Sequence, residues 1–214
     1  MEKDLQNYRK SYEKSELNSD QLQADPFILF KEWFSEVENA QLVEEINAMS
    51  LSTVGEDGFP KTRIVLLKKL SKKGFIFYTN YKSEKGLAID KHPKVCLSFF
   101  WPAAERQVII KGTVEKVSSE ESDAYFSSRP RGSQMGAIVS PQSSPIPDRE
   151  YLENKLEELQ QEEGDFKRPE TWGGYIVKPQ EMEFWQGRTN RLHDRFVYQL
   201  DASTQEWKIL RLAP

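Results

Sequence analysis

Short strand-like segments separated by turn signals constrain this chain more than any other feature. From residue 47 the sequence runs NAMSLSTV, GEDGFP, KTRIVLLKKL, SKKG and FIFYTN; after YKSEKGLAIDKHP it continues KVCLSFFW and RQVIIKGTVEKV. The apolar pieces are rich in Val, Ile, Phe and Thr, which suit a pleated surface. The pieces between them carry the Gly, Asp and Pro that chain reversals need. A helical section then spans 118–165, and the strand pattern returns in GGYIVKPQEMEFWQ, LHDRFVYQL and EWKILRLAP. The absence of βαβ alternation argues against a doubly wound parallel sheet. The pattern predicts a mainly β chain with flanking helices: an antiparallel barrel closed by its late strands, with helices over its ends.

The helices announce themselves by their caps. Asp25 is a good N-cap and Pro26 suits the first helical position, ahead of an apolar stripe of Phe27, Leu29, Phe30, Trp33 and Phe34. Ser118 with Glu121 three residues on forms a capping-box start for SSEESDAYFSSR. GSQMGAIVS is a short helix and PDREYLENKLEELQQEE a charged surface helix. Residues 1–24 read as a polar arm or a marginal helix, and 25–214 as a single domain that includes the helical section 118–165.

Composition removes several function classes. A net charge of −4 and a pI near 5.5 argue against a nucleic-acid or membrane-surface partner, so local clusters of cations are read as pockets. Two histidines, His92 and His193, and the single Cys96 make a metal site an unsuitable reading. Cys96 reads as a small buried hydrophobe in a reduced, cytoplasmic compartment. No apolar run approaches the roughly 20 residues that span a bilayer. Dinucleotide, P-loop and nucleophile-elbow motifs are absent.

Four basic constellations remain. In RIVLLK, Arg63 and Lys68 are five apart on a strand, a spacing that suits contacts with two different anions, unless both merely flank a core strand. In YKSEKG, Lys82 and Lys85 stand where a turn enters a helix, whose free N–H groups favour a phosphate. In YFSSRPRGSQMGAIVSPQSS, Tyr125 and Arg129 share a helix face, Pro130 stops that helix, and Ser133 opens the next. Finally, FWQGRTNRLHDRF places Arg191, His193 and Arg195 two residues apart, which in a strand puts three potential cations on one face beside Trp185. Such a face is costly unless an anion or an electron-rich ring meets it.

These segments, together with FYTN, ERQV, WGGY and the terminal RLAP, closely resemble the FMN-dependent pyridoxine/pyridoxamine 5′-phosphate oxidase family, in the family's order from about residue 20 to the C-terminus. The resemblance implies an FMN-binding split β-barrel, working as a homodimer with FMN at the subunit interface. It implies an enzyme, a pyridoxal 5′-phosphate synthase of vitamin B6 metabolism. Its substrates would be pyridoxamine or pyridoxine 5′-phosphate and dioxygen, with release of hydrogen peroxide and, from the amine, ammonia. By similarity, FMN would be held by Arg63, Ile64, Val65, Leu66, Leu67 and Lys68, by Tyr78 and Thr79, and by Lys85 and Gln107. Gln142, Ser143, Trp185 and Arg195 complete that set. The substrate phosphate would meet Lys68, Tyr125, Arg129 and Ser133. Arg191 and His193 would border its pyridine ring as the catalytic pair, and Arg9 and Tyr12 would belong to a segment covering it.

Within that reading, Arg195 is expected to stabilise reduced flavin and Arg191 to orient substrate. His193 serves either as a hydrogen-bond partner or in proton transfer. Glu84 departs from the family, in which a basic residue commonly stands beside the lysine; a carboxylate there repels a phosphate unless it turns to solvent or pairs with Lys82. A flavoenzyme acting on another substrate would lack the set at 125–133, and a non-catalytic flavin or pyridoxal-phosphate carrier would bind without turnover.

Overall fold

In the computed structural model, which describes residues 3–214, the capping signals and the strand alternation become real elements. Residues 1 and 2 of the expected arm lie outside the described residues. Contacts divide the chain into two compact units, one of Met1–Asn47, Ser98–Lys111 and Pro179–Pro214, the other of Ala48–Leu97 and Gly112–Lys178.

In the second unit, β1 (Ala48–Val54) pairs antiparallel with β2 (Pro60–Leu66), Ala48 opposite Leu66. Along β1, Met49, Leu51 and Thr53 are buried in alternation, as a sheet with one covered face requires. KTRIVLLKKL is not one strand. The chain leaves β2 at Leu67 and Lys68, and β3 (Lys69–Ser71) pairs with β4 (Gly74–Asn80) instead. The apolar run continues through the break, because Leu67 stays buried while the backbone changes partner: Lys68 N donates to Ile76 O at 2.8 Å. β4 also pairs with the late strand β7 (Trp172–Gln186), Phe75 opposite Val177 and Asn80 opposite Trp172. With β5 (Lys94–Trp101) and β6 (Arg106–Lys116) the order is β2-β1-β5-β6-β7-β4-β3, so a late strand joins two early ones, as the sequence pattern predicts.

Four helices belong to this unit. α2 follows α1 in the chain and spans Glu84–Lys91, capped by Ser83, whose hydroxyl accepts from Gly86 N at 3.3 Å. α3 (Ser119–Ser128) begins at Ser118, whose hydroxyl accepts from Glu121 N at 3.2 Å. α4 spans Arg131–Val139 and α5 Glu150–Gln160.

The first unit holds α1 (Pro26–Asn39), with Asp25 accepting from Phe27 N at 2.9 Å. Its buried face carries Leu29, Phe30, Trp33 and Val37. Phe30 lies 5.1 Å from Phe99, and Trp33 meets Phe184 edge-on at 5.3 Å. The C-terminal part of β7 pairs with β8 (Asp194–Leu200), and β8 with β9 (Trp207–Leu212). Residues 3–24 are extended apart from one short 3-10 turn at Ser19–Gln21. Among the described residues no helix is long and apolar enough to cross a membrane.

Candidate functional site

The second unit encloses a cavity of about 420 Å³ whose walls come from five places in the sequence. Ile64, Val65 and Leu66 of β2 and Lys68 beyond it form one side, and Tyr78 and Thr79 of β4 another. Lys85 enters from α2, Tyr125 and Arg129 from the end of α3, Ser133 from α4, and Gln142 and Trp172 complete the lining. Thr79 and Gln142 are tied together: the Gln142 side-chain oxygen accepts from Thr79 Oγ1 at 3.2 Å and from Asn80 N at 3.3 Å. Among the described residues the Gln142 amide nitrogen has no acceptor, so it can donate. Ser143 follows with a left-handed φ of 71°. Leu67 is buried and is not part of the lining.

Among the described residues, Arg63, Lys85 and Arg129 have no acidic partner. Lys85 is 8% exposed and its ammonium donates to Ser83 Oγ at 3.4 Å. Burial pulls its pKa down, Arg63 adds to this, and Glu84 opposes it. Arg63 is held beside the cavity by neutral acceptors, Leu51 O at 3.1 Å and Thr53 Oγ1 at 2.7 Å, and burial lowers its pKa too. Glu84 pairs with neither cation nor with Lys82: both its oxygens bond the exposed Lys61 ammonium, at 2.7 and 2.6 Å. Its carboxylate is therefore paired at the exposed surface, which lessens the repulsion its position implied.

Arg129 stands one residue past α3, in extended conformation (φ −76°, ψ 149°), because Pro130 forbids a further helical turn. Its guanidinium lies 4.7 Å over the Trp172 ring. Its Nη1 is buried without a hydrogen-bond partner, an arrangement that costs free energy unless a ligand completes it. Tyr125 stacks on Tyr78 at 3.8 Å, and Tyr78 lies parallel to Trp172 at 5.7 Å. The second glycine of WGGY makes room for this: a Cβ on Gly174 would come within 2.7 Å of Tyr78 Cε1. Burial pushes the Tyr78 phenol up to about 12 and raises Tyr125 as well, so both remain protonated donors at neutral pH.

The RTNRLHDR segment, in the first unit, corrects the sequence expectation. β8 starts only at Asp194, and Thr189–Arg191 form a 3-10 turn in which Asn190 (φ 54°) and Arg191 (φ 61°) are both left-handed. Arg191, His193 and Arg195 therefore do not share a strand face. The buried Asp194 fixes this geometry by accepting from Arg188 Nη1 at 3.0 Å, Arg211 Nη2 at 2.5 Å and Leu17 N at 3.2 Å. His193 Nδ1 accepts from Arg188 N at 3.0 Å, which assigns the imidazole proton to Nε2. The ring packs 4.6 Å from Trp185 and 5.8 Å from Tyr12. Burial, then Arg191, hold its pKa below the ordinary value, against Asp194.

Arg191 is exposed and lines a pocket of about 630 Å³ with Arg9, Tyr12 and His193. Arg195, opposite Trp185 in the β7–β8 register, is already engaged: Nε and Nη2 bond Glu183 at 2.9 and 3.2 Å. Gln107 is half-buried on β6. The expected residues thus divide by unit. Lys68, Tyr78, Thr79, Lys85, Tyr125, Arg129, Ser133 and Gln142 converge on the cavity of one, while Arg9, Tyr12, Gln107, Trp185, Arg191, His193 and Arg195 belong to the other. Sequence reasoning missed Trp172, the platform under Arg129, although its position before Gly-Gly was the available signal. It also missed Arg188, whose backbone sets the His193 tautomer; nothing local marks it.

A family model described as pyridoxamine 5′-phosphate oxidase matches residues 36–162, and one described as the pyridoxine 5′-phosphate oxidase C-terminal dimerisation region matches residues 172–214. The pyridoxine/pyridoxamine 5′-phosphate oxidase of Flavobacterium psychrophilum is 59% identical over 99% of this chain and 100% of its own length. That of Christiangramia forsetii is 56% identical over 100% of both chains. Among solved structures, PhzG from Burkholderia lata, in complex with tetrahydrophenazine-1-carboxylic acid, superposes with a TM-score of 0.86 at 29% identity, over 91% of this chain and 95% of that one. The fold class is the split β-barrel of these neighbours, mostly antiparallel sheet with flanking helices. With identity of this degree along its whole length, the chain belongs to the pyridoxamine 5′-phosphate oxidase family.

Proposed function

We propose that the protein oxidises pyridoxamine 5′-phosphate or pyridoxine 5′-phosphate to pyridoxal 5′-phosphate. Dioxygen is the terminal acceptor and hydrogen peroxide the reduced product, with ammonia leaving when the substrate is the amine. The observation that carries this reading is the buried, unpartnered Nη1 of Arg129 in a cavity shared with Lys68, Tyr125 and Ser133, in a chain of this family. Two protonated donors and two cations around one space are the chemistry that receives a phosphate dianion.

The donor set also fits FMN. Arg63 and Lys85 form no ion pair with a carboxylate among the described residues, and Gln142 keeps a free amide donor beside Thr79. These residues, with the β2 backbone from Arg63 to Lys68, Tyr78 and Ser143, and with Gln107, Trp185 and Arg195, would hold it. FMN, when bound, supplies the acceptor for the two electrons that leave the substrate C4′. The rest falls to the chain. Lys68, Tyr125, Arg129 and Ser133 fix the substrate by its phosphate, so that its ring is held rather than sampled. Arg191 orients that ring, and His193, with its proton on Nε2, donates a hydrogen bond. Tyr12 covers the pocket and excludes water.

The family's dimerisation region at residues 172–214 supports a homodimer. The reading places the protein in the cytoplasm. The test is anaerobic. Purified protein reconstituted with FMN should lose its flavin absorbance on addition of pyridoxamine 5′-phosphate and regain it in air with stoichiometric hydrogen peroxide. Unbleached flavin at saturating substrate would refute the proposal, and a flavin-loaded monomer in sedimentation would refute the dimer.

A further inference from the structure

Glu105 is a buried acid that this scheme does not use. It is 2% exposed and adopts a left-handed φ of 58°, unfavourable for a residue with a Cβ. A carboxylate buried this deeply needs hydrogen-bond donors. Among the described residues its side-chain partners all come from the N-terminal arm. Oε2 accepts from Glu13 N at 2.8 Å and from Lys14 N at 3.0 Å, and the Lys10 ammonium lies 3.5 Å from Oε1. Lys14 adds a bond from its ammonium to Ala103 O at 2.6 Å, in the same turn. The backbone of Glu105 meanwhile holds the other side, since its carbonyl accepts from Gly187 N at 2.7 Å.

The residue between those anchors is Tyr12. Its ring lies where a Cβ on Gly187 would fall, 2.8 Å from Tyr12 Cγ, and meets Trp185 edge-on at 5.7 Å. The arm has almost no secondary structure of its own in this stretch, so its path is set by what it bonds. We propose that Glu105 is a positioning residue: its carboxylate fastens residues 10–14 so that Tyr12 is held over His193 and Trp185, completing the substrate pocket. The proposal rests on the functional reading above for the substrate and on the arm geometry for the tether.

Three variants, each prepared with FMN bound, test it. Glu105→Ala removes the acceptor. Glu13→Pro removes one of the two backbone donors without touching the buried turn. Glu105→Gln keeps an oxygen for both N–H groups. The first readout is tryptic cleavage after Lys10 and Lys14, followed by intact mass. Loss of a charge-assisted bond should speed it roughly tenfold to a hundredfold in Glu105→Ala, with a smaller rise in Glu13→Pro and near wild-type protection in Glu105→Gln. The second is the kinetic split: KM for pyridoxamine 5′-phosphate rises in the same order while FMN affinity is unchanged. Wild-type cleavage in Glu105→Ala or Glu13→Pro would overturn the tether, and faster cleavage with unchanged KM would overturn the positioning role. If wild-type holoenzyme does not oxidise the substrate, the functional reading falls while proteolysis still decides the tether.

Discussion

Replacing Arg129 with methionine should separate ligand binding from stability, and in opposite directions. In the ligand-free protein the guanidinium holds one buried donor with nothing to bond, a penalty of about 1–3 kcal/mol. Against this stands its position over Trp172, 4.7 Å from the ring, which contributes roughly 0.5–1 kcal/mol in a half-exposed setting. Methionine retains much of the apolar contact and has no donor to satisfy, so Arg129→Met should leave stability unchanged or raise it by up to about 2 kcal/mol. Binding responds differently. A charge-assisted bond to phosphate contributes about 1.5–3 kcal/mol, so KM for pyridoxamine 5′-phosphate should rise roughly tenfold to a hundredfold, with FMN content as in the wild type. Urea titration without phosphate and steady-state kinetics with FMN-saturated enzyme measure the two effects. Lost FMN with a normal KM would show that the two phosphate sites are interchanged, and a destabilised apoprotein would show that Arg129 is a structural arginine.

Glu84→Gln breaks an exposed pair with Lys61, so stability should move by no more than about 1 kcal/mol. FMN should bind more tightly at neutral pH because one negative charge near Lys85 is gone, and a fluorescence titration showing weaker binding would contradict that. Arg191→Met should slow anaerobic flavin bleaching by about 100-fold if the substrate is misplaced, with reoxidation in air unaffected; stopped-flow traces of both half-reactions decide it. His193 has a folded pKa below its ordinary 6.5, so it favours the fold when neutral. That contribution is complete above the unfolded value and is lost as pH falls through the folded one. In His193→Asn, whose side-chain oxygen can still accept from Arg188 N, the loss of stability below pH 6.5 should be shallower than in wild type; equal slopes in urea titrations would rule this out.

What was legible in the sequence was local. Asp25 and Ser118 mark their helices because a cap acts within three residues, and the β1 and β5 alternation is visible because burial alternates along one strand. The break at Leu67 and Lys68 was hidden, since a change of strand partner leaves the apolar run intact. Glu84 was weighed against its neighbour Lys82, whereas its partner Lys61 is 23 residues away. The turn at Asn190 and Arg191 read as strand because the residues that hold it, Asp194 with Leu17 and Arg211, are joined only by the fold. The site residues themselves were named by the resemblance; their grouping into two units came from the structure alone.

The arginines outside the cavity sharpen the case for what the cavity holds. Arg106 is bonded to Glu36, Arg168 to Asp123, Arg188 to Asp194 and Arg195 to Glu183, each within 3.0 Å. This chain is not short of acids, with 34 carboxylate residues against 30 Lys and Arg. Yet Arg63, Lys85 and Arg129, all at least partly withdrawn from water, have no carboxylate partner among the described residues, and the acid nearest in sequence, Glu84, bonds Lys61 in solvent. Burying a charge without a partner is costly, and pairing would have been the cheaper arrangement. A fold that pairs Arg106, Arg168, Arg188 and Arg195 with carboxylates and leaves these three cations without one supports the proposal that they meet anions from outside the chain. Two phosphates, one on the cofactor and one on the substrate, are the pair that the proposed reaction supplies.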